Sequence, residues 1–135
     1  MKTALRFLLA LLAGFLVGSL VNMGLILLGG KVVPPPPGAS VTTMEGLKAS
    51  IHLFQAKHFL FPFLAHALGT LAGAFLAAWL TPSRRPGPAF SVGGLFFVGG
   101  LVNGIAIPAP AWFMAVDLLL AYGPMAWLGW RWAPR

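Results

Sequence analysis

Four long and nearly uninterrupted apolar runs dominate this sequence of 135 residues. They cover residues 5–28, 61–80, 89–107 and 111–130. A helix needs about 20 apolar residues to cross the roughly 30 Å hydrocarbon core of a bilayer, and each run is close to that length or exceeds it. Backbone polar groups in hydrocarbon must be paired internally, and the runs lack the alternation of barrel strands. The sequence therefore predicts an all-α membrane protein, a single transmembrane domain folded as a bundle of four transmembrane helices.

The composition argues against several other classes of protein. Hydrophobic residues make up 59% of the chain and charged residues only 8%, whereas soluble domains carry about 25% charged residues. The net charge is +7, but the basic residues are spread thinly between the apolar runs, so we expect no binding of nucleic acid. Two acidic residues, no cysteine and no recognisable catalytic motif lead us to expect that the protein is not an enzyme.

The distribution of basic residues predicts the orientation of the spans. The N-terminal segment resembles a signal peptide, but its apolar run exceeds the about 7–15 residues of a signal h-region and lacks a clean cleavage site, so we expect it to remain as the first span. Basic residues are enriched in cytoplasmic loops. Six lie on the side of the two termini and the second loop, and three lie opposite, partly offset by Glu45: Lys2, Arg6, Arg84, Arg85, Arg131 and Arg135 against Lys31, Lys48 and Lys57. We therefore expect a multi-pass protein of the cell inner membrane with both termini in the cytoplasm.

The loop after the first span carries its own structural signals. Residues 34–37 are four prolines, which predict a stiff polyproline spacer. Thr42 and Glu45 have the spacing of a capping box, in which Thr42 caps the helix and Glu45 reaches back. Apolar residues then recur at helical spacing and predict a short amphipathic helix over about 43–56. Two placements stay open: on the outer membrane surface, or packed over the mouth of the bundle.

Glycines and prolines predict where the spans end, bend and pack. We expect three helix ends, at Gly29-Gly30, at Thr81-Pro82 and at Pro108-Ala109-Pro110. Pro124 lies inside the fourth span and is expected to kink it. Glycines four residues apart share a helix face and let helix backbones approach closely. Three such pairs predict helix packing: Gly14 and Gly18, Gly69 and Gly73, and Gly100 and Gly104.

The two halves of the chain resemble one another. Residues 17–22 read Val-Gly-Ser-Leu-Val-Asn and residues 98–103 read Val-Gly-Gly-Leu-Val-Asn. The helices that follow correspond more loosely, with His66 aligned to Asp117. These matches predict two parallel helical-hairpin repeats, each with an asparagine on its first helix and an ionisable residue on its second. Chance similarity between glycine-rich apolar helices is the alternative interpretation.

A layer of polar residues is predicted within the spans. At 1.5 Å per residue, four residues lie about 6–9 Å below the outer helix ends: Asn22, His66, Asn103 and Asp117. An ionised Asp117 at that depth needs a partner, and His66 is the expected one. The two asparagines are expected to orient this pair, and three further residues to extend the hydrogen-bond path toward the cytoplasm: Ser19, Thr70 and, beyond them, Tyr122. We predict a ligand or proton site here, with a purely structural cluster as the alternative.

Three functions are compatible with this pattern. The first is a channel or transporter that handles protons, ions or a small solute. The second is a non-catalytic accessory or assembly subunit of a larger membrane complex, and homo-oligomerisation is also possible in the bilayer. The third is a haem- or pigment-binding bundle, because the small neighbours of His66 leave room for a ring. His52, His58 and His66 match no metal-ligand spacing, so the preferred interpretation includes no metal or cofactor.

Several stretches of the chain resemble one group of proteins. They are Gly18–Gly24, His52–Phe54, Phe61–Leu71, Trp112-Phe113 and Val116–Leu118. Together they are similar to a group of small bacterial four-span integral membrane proteins whose motifs have no assigned chemistry. The resemblance covers most of the chain. It implies a four-span membrane fold and draws attention to His66 and Asp117, and it implies no function.

Overall fold

The computed structural model describes residues 1–81 and 86–134, and every regular element in these two ranges is helical. The described residues form six α-helices: α1 (Lys2–Val32), α2 (Met44–Ser50), α3 (Leu60–Leu80), α4 (Gly87–Ala106), α5 (Ala111–Leu120) and α6 (Gly123–Trp132). Two 3-10 turns, Ile51–Leu53 and Ala56–Phe59, connect α2 to α3. Four residues used in the predictions of the second helix end and of the orientation lie outside the described residues: Pro82, Arg84, Arg85 and Arg135.

Within residues 1–81 and 86–134, four helical segments are long and apolar enough to cross a membrane. They are Lys2–Val32, Ala56–Leu80, Gly87–Ala106 and Ala111–Trp132, the last made of α5 and α6 together. This confirms the predicted all-α architecture with four helices of membrane-spanning length. Below, the loop half of the bundle is the half nearer residues 33–59, and the terminal half is the half nearer the two chain termini.

Helix α1 continues past Gly29-Gly30, so the prediction that these glycines end it was wrong. Gly29 is buried against Phe61 of α3, and a β-carbon at this position would collide with the Phe61 side chain. The glycine therefore serves close packing rather than termination. The helix ends at Val32, two residues before Pro34, because proline lacks an N–H and disfavours the helical conformation in the residue before it.

Helix α3 is the centre of the bundle and contacts α1, α4 and α6. Its contact with α1 is made by backbone against backbone. A β-carbon on Gly14 would lie 2.5 Å from the Gly73 carbonyl oxygen, and one on Gly18 would lie 2.6 Å from the Gly69 carbonyl oxygen. The glycine pairs of α1 and α3 therefore face each other, as small residues do where membrane helices cross closely.

The third glycine pair has a different neighbourhood. A β-carbon on Gly100 would collide with the Tyr122 side chain, and one on Gly104 would collide with the Met114 side chain. These two glycines of α4 therefore make room for side chains of the fourth span rather than for a helix backbone.

Small side chains fill the terminal half of the bundle. Its centre consists of residues with 0% exposure from α3, α4 and α6: Ala74, Ala77, Ala89, Val92 and Ala126. The Arg6 side chain donates through Nε to the Leu80 carbonyl oxygen at 2.8 Å, which ties the start of α1 to the last turn of α3. A basic side chain at a helix C-terminus satisfies a carbonyl that has no partner within the helix.

Helix α2 is shorter than predicted and has a different cap. The predicted helix over 43–56 is α-helical only from Met44 to Ser50. Thr43, not Thr42, is the N-cap residue, and its hydroxyl oxygen accepts from the Gly46 backbone N–H at 3.0 Å. The predicted capping box was wrong, because the cap lies one residue later and the third helical residue is then a glycine with no side chain to reach back.

The segment after α2 packs onto the bundle. Ile51 is buried in a cluster with Phe59 and with Phe113 of α5, and Leu47 packs against the same cluster. Of the two placements considered for this segment, contact with the mouth of the bundle is therefore seen directly. The cluster therefore joins this segment to α5 at the loop half of the bundle.

The fourth span consists of two helices rather than one kinked helix. Helix α5 ends at Leu120 and α6 begins at Gly123. Pro124 has no N–H to donate to the Leu120 carbonyl, so the helical hydrogen-bond pattern is interrupted here. Tyr122, with φ −118° and ψ −68°, is the N-cap residue of α6. Where a kink was predicted, the helix is interrupted at Ala121 and Tyr122.

The two predicted hairpins do not pack alike. Gly18 is buried against α3, whereas its aligned counterpart Gly99 on α4 is exposed, with nothing within 4 Å of a β-carbon built there. The helix packing therefore gives no independent support to an internal duplication.

Candidate functional site

A hydrogen bond joins the second and fourth spans in the loop half of the bundle. His66 Nδ1 of α3 lies 2.8 Å from Asp117 Oδ1 of α5. Asp117 is only 3% exposed, whereas the His66 side chain is 22% exposed. The structure thus brings together the two ionisable residues that the sequence placed at one depth. Such a pair lets a carboxylate lie in an apolar interior.

Tyr122 is the second partner of the carboxylate. Its hydroxyl donates to Asp117 Oδ2 at 2.8 Å, and the tyrosine is 1% exposed. In a continuous helix, a residue five positions further lies about 7.5 Å along the axis and about 140° around it. The break between α5 and α6 lets the tyrosine side chain return to Asp117. The prediction that Tyr122 lies beyond the cluster was therefore wrong.

The tyrosine is also held by its neighbours on α3 and α4. Its ring stacks on the His66 ring, with centroids 6.0 Å apart and planes at 27°. Gly100 of α4 leaves room for the hydroxyl group, since a β-carbon there would collide with it. We call His66, Asp117 and Tyr122 the triad.

Both carboxylate oxygens of Asp117 are paired, but one imidazole nitrogen is not. With Nδ1 occupied by Asp117, the other ring nitrogen of His66, Nε2, makes no hydrogen bond to any described residue. A neutral imidazole that donates from Nδ1 presents a lone pair at Nε2. The triad therefore has one imidazole nitrogen, Nε2, that is available as an acceptor, while the other nitrogen of the ring is hydrogen-bonded to a buried carboxylate.

The two asparagines do not orient the pair, contrary to the prediction. Asn22 Oδ1 on α1 is buried and has no hydrogen-bond partner. Asn103 on α4 is exposed, and its side chain makes no hydrogen bond within residues 1–81 and 86–134. Both residues instead line the space beside His66. A buried acceptor without a partner is unfavourable, so Asn22 is the position at which a donor is missing.

The predicted polar path through Ser19 and Thr70 is not formed by their side chains. The Thr70 hydroxyl donates to the backbone carbonyl of His66 at 2.7 Å, one turn earlier on the same helix. This local bond is common for threonine within helices and uses up the hydroxyl proton. Ser19 makes no side-chain hydrogen bond to the described part of the chain.

Two cavities meet at the exposed edge of His66. The loop-side cavity has a volume of about 250 Å³ and reaches from the Ile51 cluster down to His66 and Asp117. The lateral cavity, of about 220 Å³, lies between α1 and α4 and is lined by Phe15, Phe96 and Gly99 among others. Asn22, His66, Gly100 and Asn103 line both. None of the buried small residues at the centre of the terminal half lines either cavity.

Comparisons of the chain with protein-family models, with curated proteins and with solved structures found no match. Within the described residues, no group of three or more His, Asp or Glu side chains is placed to hold a metal ion. The chemistry of the site consists of a buried carboxylate, an imidazole with one unpaired nitrogen, a phenol and two amides beside mostly apolar cavities.

Proposed function

We propose that this protein is a transporter-type membrane protein that handles a proton, an ion or a small solute at the triad. The observation that carries the proposal is the hydrogen bond between buried Asp117 and His66, whose second nitrogen is unpaired beside two cavities. Ionisable residues inside membranes are rare because their charged forms are costly there, and they mark ion pathways and proton relays.

The triad has the connections needed to bind and release one proton. In the neutral state His66 donates from Nδ1 to Asp117, and Nε2 accepts a proton from the cavity. Asp117 holds Nδ1 of the ring through one oxygen and accepts from the Tyr122 hydroxyl through the other. The proton is therefore exchanged at the nitrogen that borders the cavities, and the carboxylate orients the ring.

The shape of the bundle favours a carrier over an open channel. The loop-side cavity reaches toward Ile51, and the lateral cavity runs between α1 and α4 as far as Phe15, whereas the centre of the terminal half is filled by alanines and a valine with 0% exposure. An open channel needs a continuous polar path, whereas a carrier exposes its site to one side at a time. The proposed carrier therefore needs a second conformation that opens the terminal half.

Proton flux into liposomes tests the proposal. The purified protein is reconstituted with a pH-sensitive dye inside the vesicles, and a pH gradient is applied across the membrane. We expect pH-dependent flux in the wild type and its loss in Asp117→Asn and in His66→Ala, with helicity retained by circular dichroism. His52→Ala is the matched control, because His52 is an exposed histidine that lines neither cavity. Flux that is unchanged in both site variants, or absent from the wild type, would eliminate the proposal.

We further propose that the protein lies in the cell inner membrane with both termini in the cytoplasm and with α2 at the outer surface. The excess of basic residues at the two termini and in the second loop, six against three on the side of the long first loop, supports this orientation, because basic residues favour the cytoplasmic side. The chain has no cysteine, so single-cysteine variants report sidedness directly. A membrane-impermeant maleimide is added to spheroplasts, whose inner membrane is intact and whose outer membrane no longer blocks the reagent. It should label Thr42→Cys and leave Pro134→Cys unlabelled. The reverse pattern would contradict the orientation.

The two hairpin repeats also remain a proposal. The aligned residues Asn22 and Asn103 line the same cavities, and the aligned residues His66 and Asp117 share a hydrogen bond. Equivalent positions of two copies would meet in this way about an axis along the membrane normal. Separate expression of residues 1–81 and 82–135 tests it: two hairpins should reassemble into a complex that restores flux.

A second candidate function is that of an accessory subunit that docks on a larger membrane protein. The favouring observation is Gly94 of α4, which is exposed, has nothing within 4 Å of a built β-carbon and lines neither cavity. An exposed glycine lets another membrane helix approach closely. Gentle detergent extraction should then give a stoichiometric complex with a larger partner that Gly94→Leu disrupts. A clean homo-oligomer that is unaffected by this substitution would contradict docking.

A further inference from the structure

We infer that the two cavities form one binding site for a neutral, lipid-soluble ligand that carries a hydroxyl donor, of the chemical class of phenols and hydroquinones. The inference rests on the proposed function, since it uses the same His66 site, and it names the class of solute. It follows from three features of the cavities: their unpaired acceptors, their uncharged apolar walls and their position between two membrane helices.

Two acceptors border the cavities without a donor. Asn22 Oδ1 is buried and unpartnered, and His66 Nε2 has no partner among the described residues. Both residues line both cavities, so a bound molecule lies beside both acceptors and a single O–H group donates to one of them at a time. A ligand with an O–H group satisfies an acceptor that the protein leaves unpaired, whereas a ligand with only carbonyl or ether oxygens does not.

The residues that line the cavities favour a ligand with an uncharged aromatic ring system. Phe59 and Phe113, with ring centroids 4.7 Å apart, line the loop-side cavity together with aliphatic residues of α1 and α2. No Lys or Arg of the described residues lines this cavity or the lateral one. The charge of Asp117 is already met by His66 and Tyr122. A carboxylate or phosphate ligand would therefore be buried without a counter-charge, and a cation would find no free carboxylate.

The volume fits a molecule of one or two rings. The loop-side cavity measures about 250 Å³. Apolar cavities of about 150 Å³ are known to take up a single benzene ring. A two-ring phenol is therefore a suitable probe, with its hydroxyl group at the end where His66 and Asn22 lie.

The lateral cavity provides access from the bilayer. It lies between α1 and α4, both of membrane-spanning length, and its edge includes the exposed residues Phe15 and Leu95. On the side of α2, the loop-side cavity is lined by Leu47 and Ile51. A ligand that reaches the triad sideways through this opening must dissolve in the hydrocarbon core, which fits an apolar alcohol better than a hydrated ion.

The test compares two probes with the same ring system, one with a hydroxyl donor and one without it. 1-Naphthol carries an O–H group, and 1-methoxynaphthalene has the same ring system with that donor blocked by a methyl group. Binding to the full-length protein is measured in detergent micelles, with empty micelles as the blank. We expect 1-naphthol to bind at least about tenfold more tightly, because an acceptor left unpaired by the ether loses a hydrogen bond in a buried site.

Nuclear magnetic resonance gives a second readout at the site itself. The chain has three histidines, so labelling with ¹⁵N-histidine gives few signals, and His52→Ala and His58→Ala assign them. The Nε2 resonance of His66 should shift with 1-naphthol and remain in place with 1-methoxynaphthalene.

Asn22→Leu tests the other acceptor. Its side-chain oxygen has no partner in the protein, so the substitution breaks no hydrogen bond and the fold should persist. We expect the preference for 1-naphthol to fall to about threefold or less. Ser19→Ala, one turn away on α1 and lining neither cavity, is the matched control and should keep the full preference.

The outcomes separate this inference from the proposed function. Equal binding of the two probes, or binding of neither, overturns the inference. Proton flux without donor-dependent binding leaves the proposed transport function and removes the ligand class. Donor-dependent binding without flux in liposomes does the opposite, since the ligand class then stands and the transport function is refuted.

Discussion

The contact between α1 and α3 makes a quantitative prediction about Gly14. In Gly14→Ala the new β-carbon would lie 2.5 Å from the Gly73 carbonyl oxygen, 3.0 Å from the Ala77 β-carbon and 3.1 Å from a Val92 methyl group. Favourable contact requires about 3.5–4.0 Å, so the helices must separate by about 1 Å. The obstacle on the α3 side is backbone, which cannot rotate away as the end of a long side chain can.

The magnitude follows from comparison with a second glycine of the same helix. Gly24→Ala is the matched control, because nothing lies within 4 Å of a β-carbon built at Gly24. Both substitutions gain the same helix propensity, about 1 kcal/mol, which cancels between them. The remaining difference is the cost of overpacking. We expect Gly14→Ala to have a free energy of unfolding about 1–3 kcal/mol below that of Gly24→Ala.

Unfolding in mixed micelles measures this difference. The two variants are titrated with sodium dodecyl sulfate in dodecyl maltoside, and unfolding is followed by the fluorescence of the five tryptophans. The free energy difference is then taken from the two transition midpoints and slopes. Equal free energies of unfolding would refute the assignment of Gly14 to a backbone contact between α1 and α3. A less stable Gly24→Ala would refute it as well.

Two further predictions concern the triad and the cap of α2. Tyr122→Phe keeps the ring but leaves Asp117 Oδ2 without its donor. The free energy of unfolding in the same assay should therefore fall by about 1–3 kcal/mol. An unchanged value would show that the hydroxyl is not bound to the carboxylate. Thr43→Ala should lower the local free energy of opening of α2 by about 1 kcal/mol and speed hydrogen exchange at the Gly46 amide, whereas Thr42→Ala should not. Faster exchange in Thr42→Ala alone would show that Thr42 is the N-cap residue, as the sequence pattern predicts.

The fold was predictable where a single physical requirement dominates. Apolar runs of about 20 residues have few alternatives to spanning helices, and all four appear in the structure. Local signals were less informative because glycine has several uses. Gly29 looked like a helix end, but it packs against Phe61, and a sequence does not say which neighbour a glycine will meet.

The candidate site was predictable in depth but not in its connections. Counting residues along helices placed His66 and Asp117 at one level, and the two side chains do form a hydrogen bond. The same counting placed Tyr122 beyond them, because it assumed a continuous fourth helix. Pro124 was the signal for the break, but the angle at a broken helix depends on tertiary packing, which the sequence does not display.

The break between α5 and α6 links the chemistry of Asp117 to the mechanics of the chain. Tyr122 caps α6 and at the same time holds the carboxylate, so swinging α6 about this joint stretches one particular hydrogen bond. A weaker acceptor than a carboxylate at this position, as in Asp117→Asn, weakens that bond and removes one restraint on the joint. A fold this small thus ties the angle between two helices to the hydrogen bonding of one buried carboxylate.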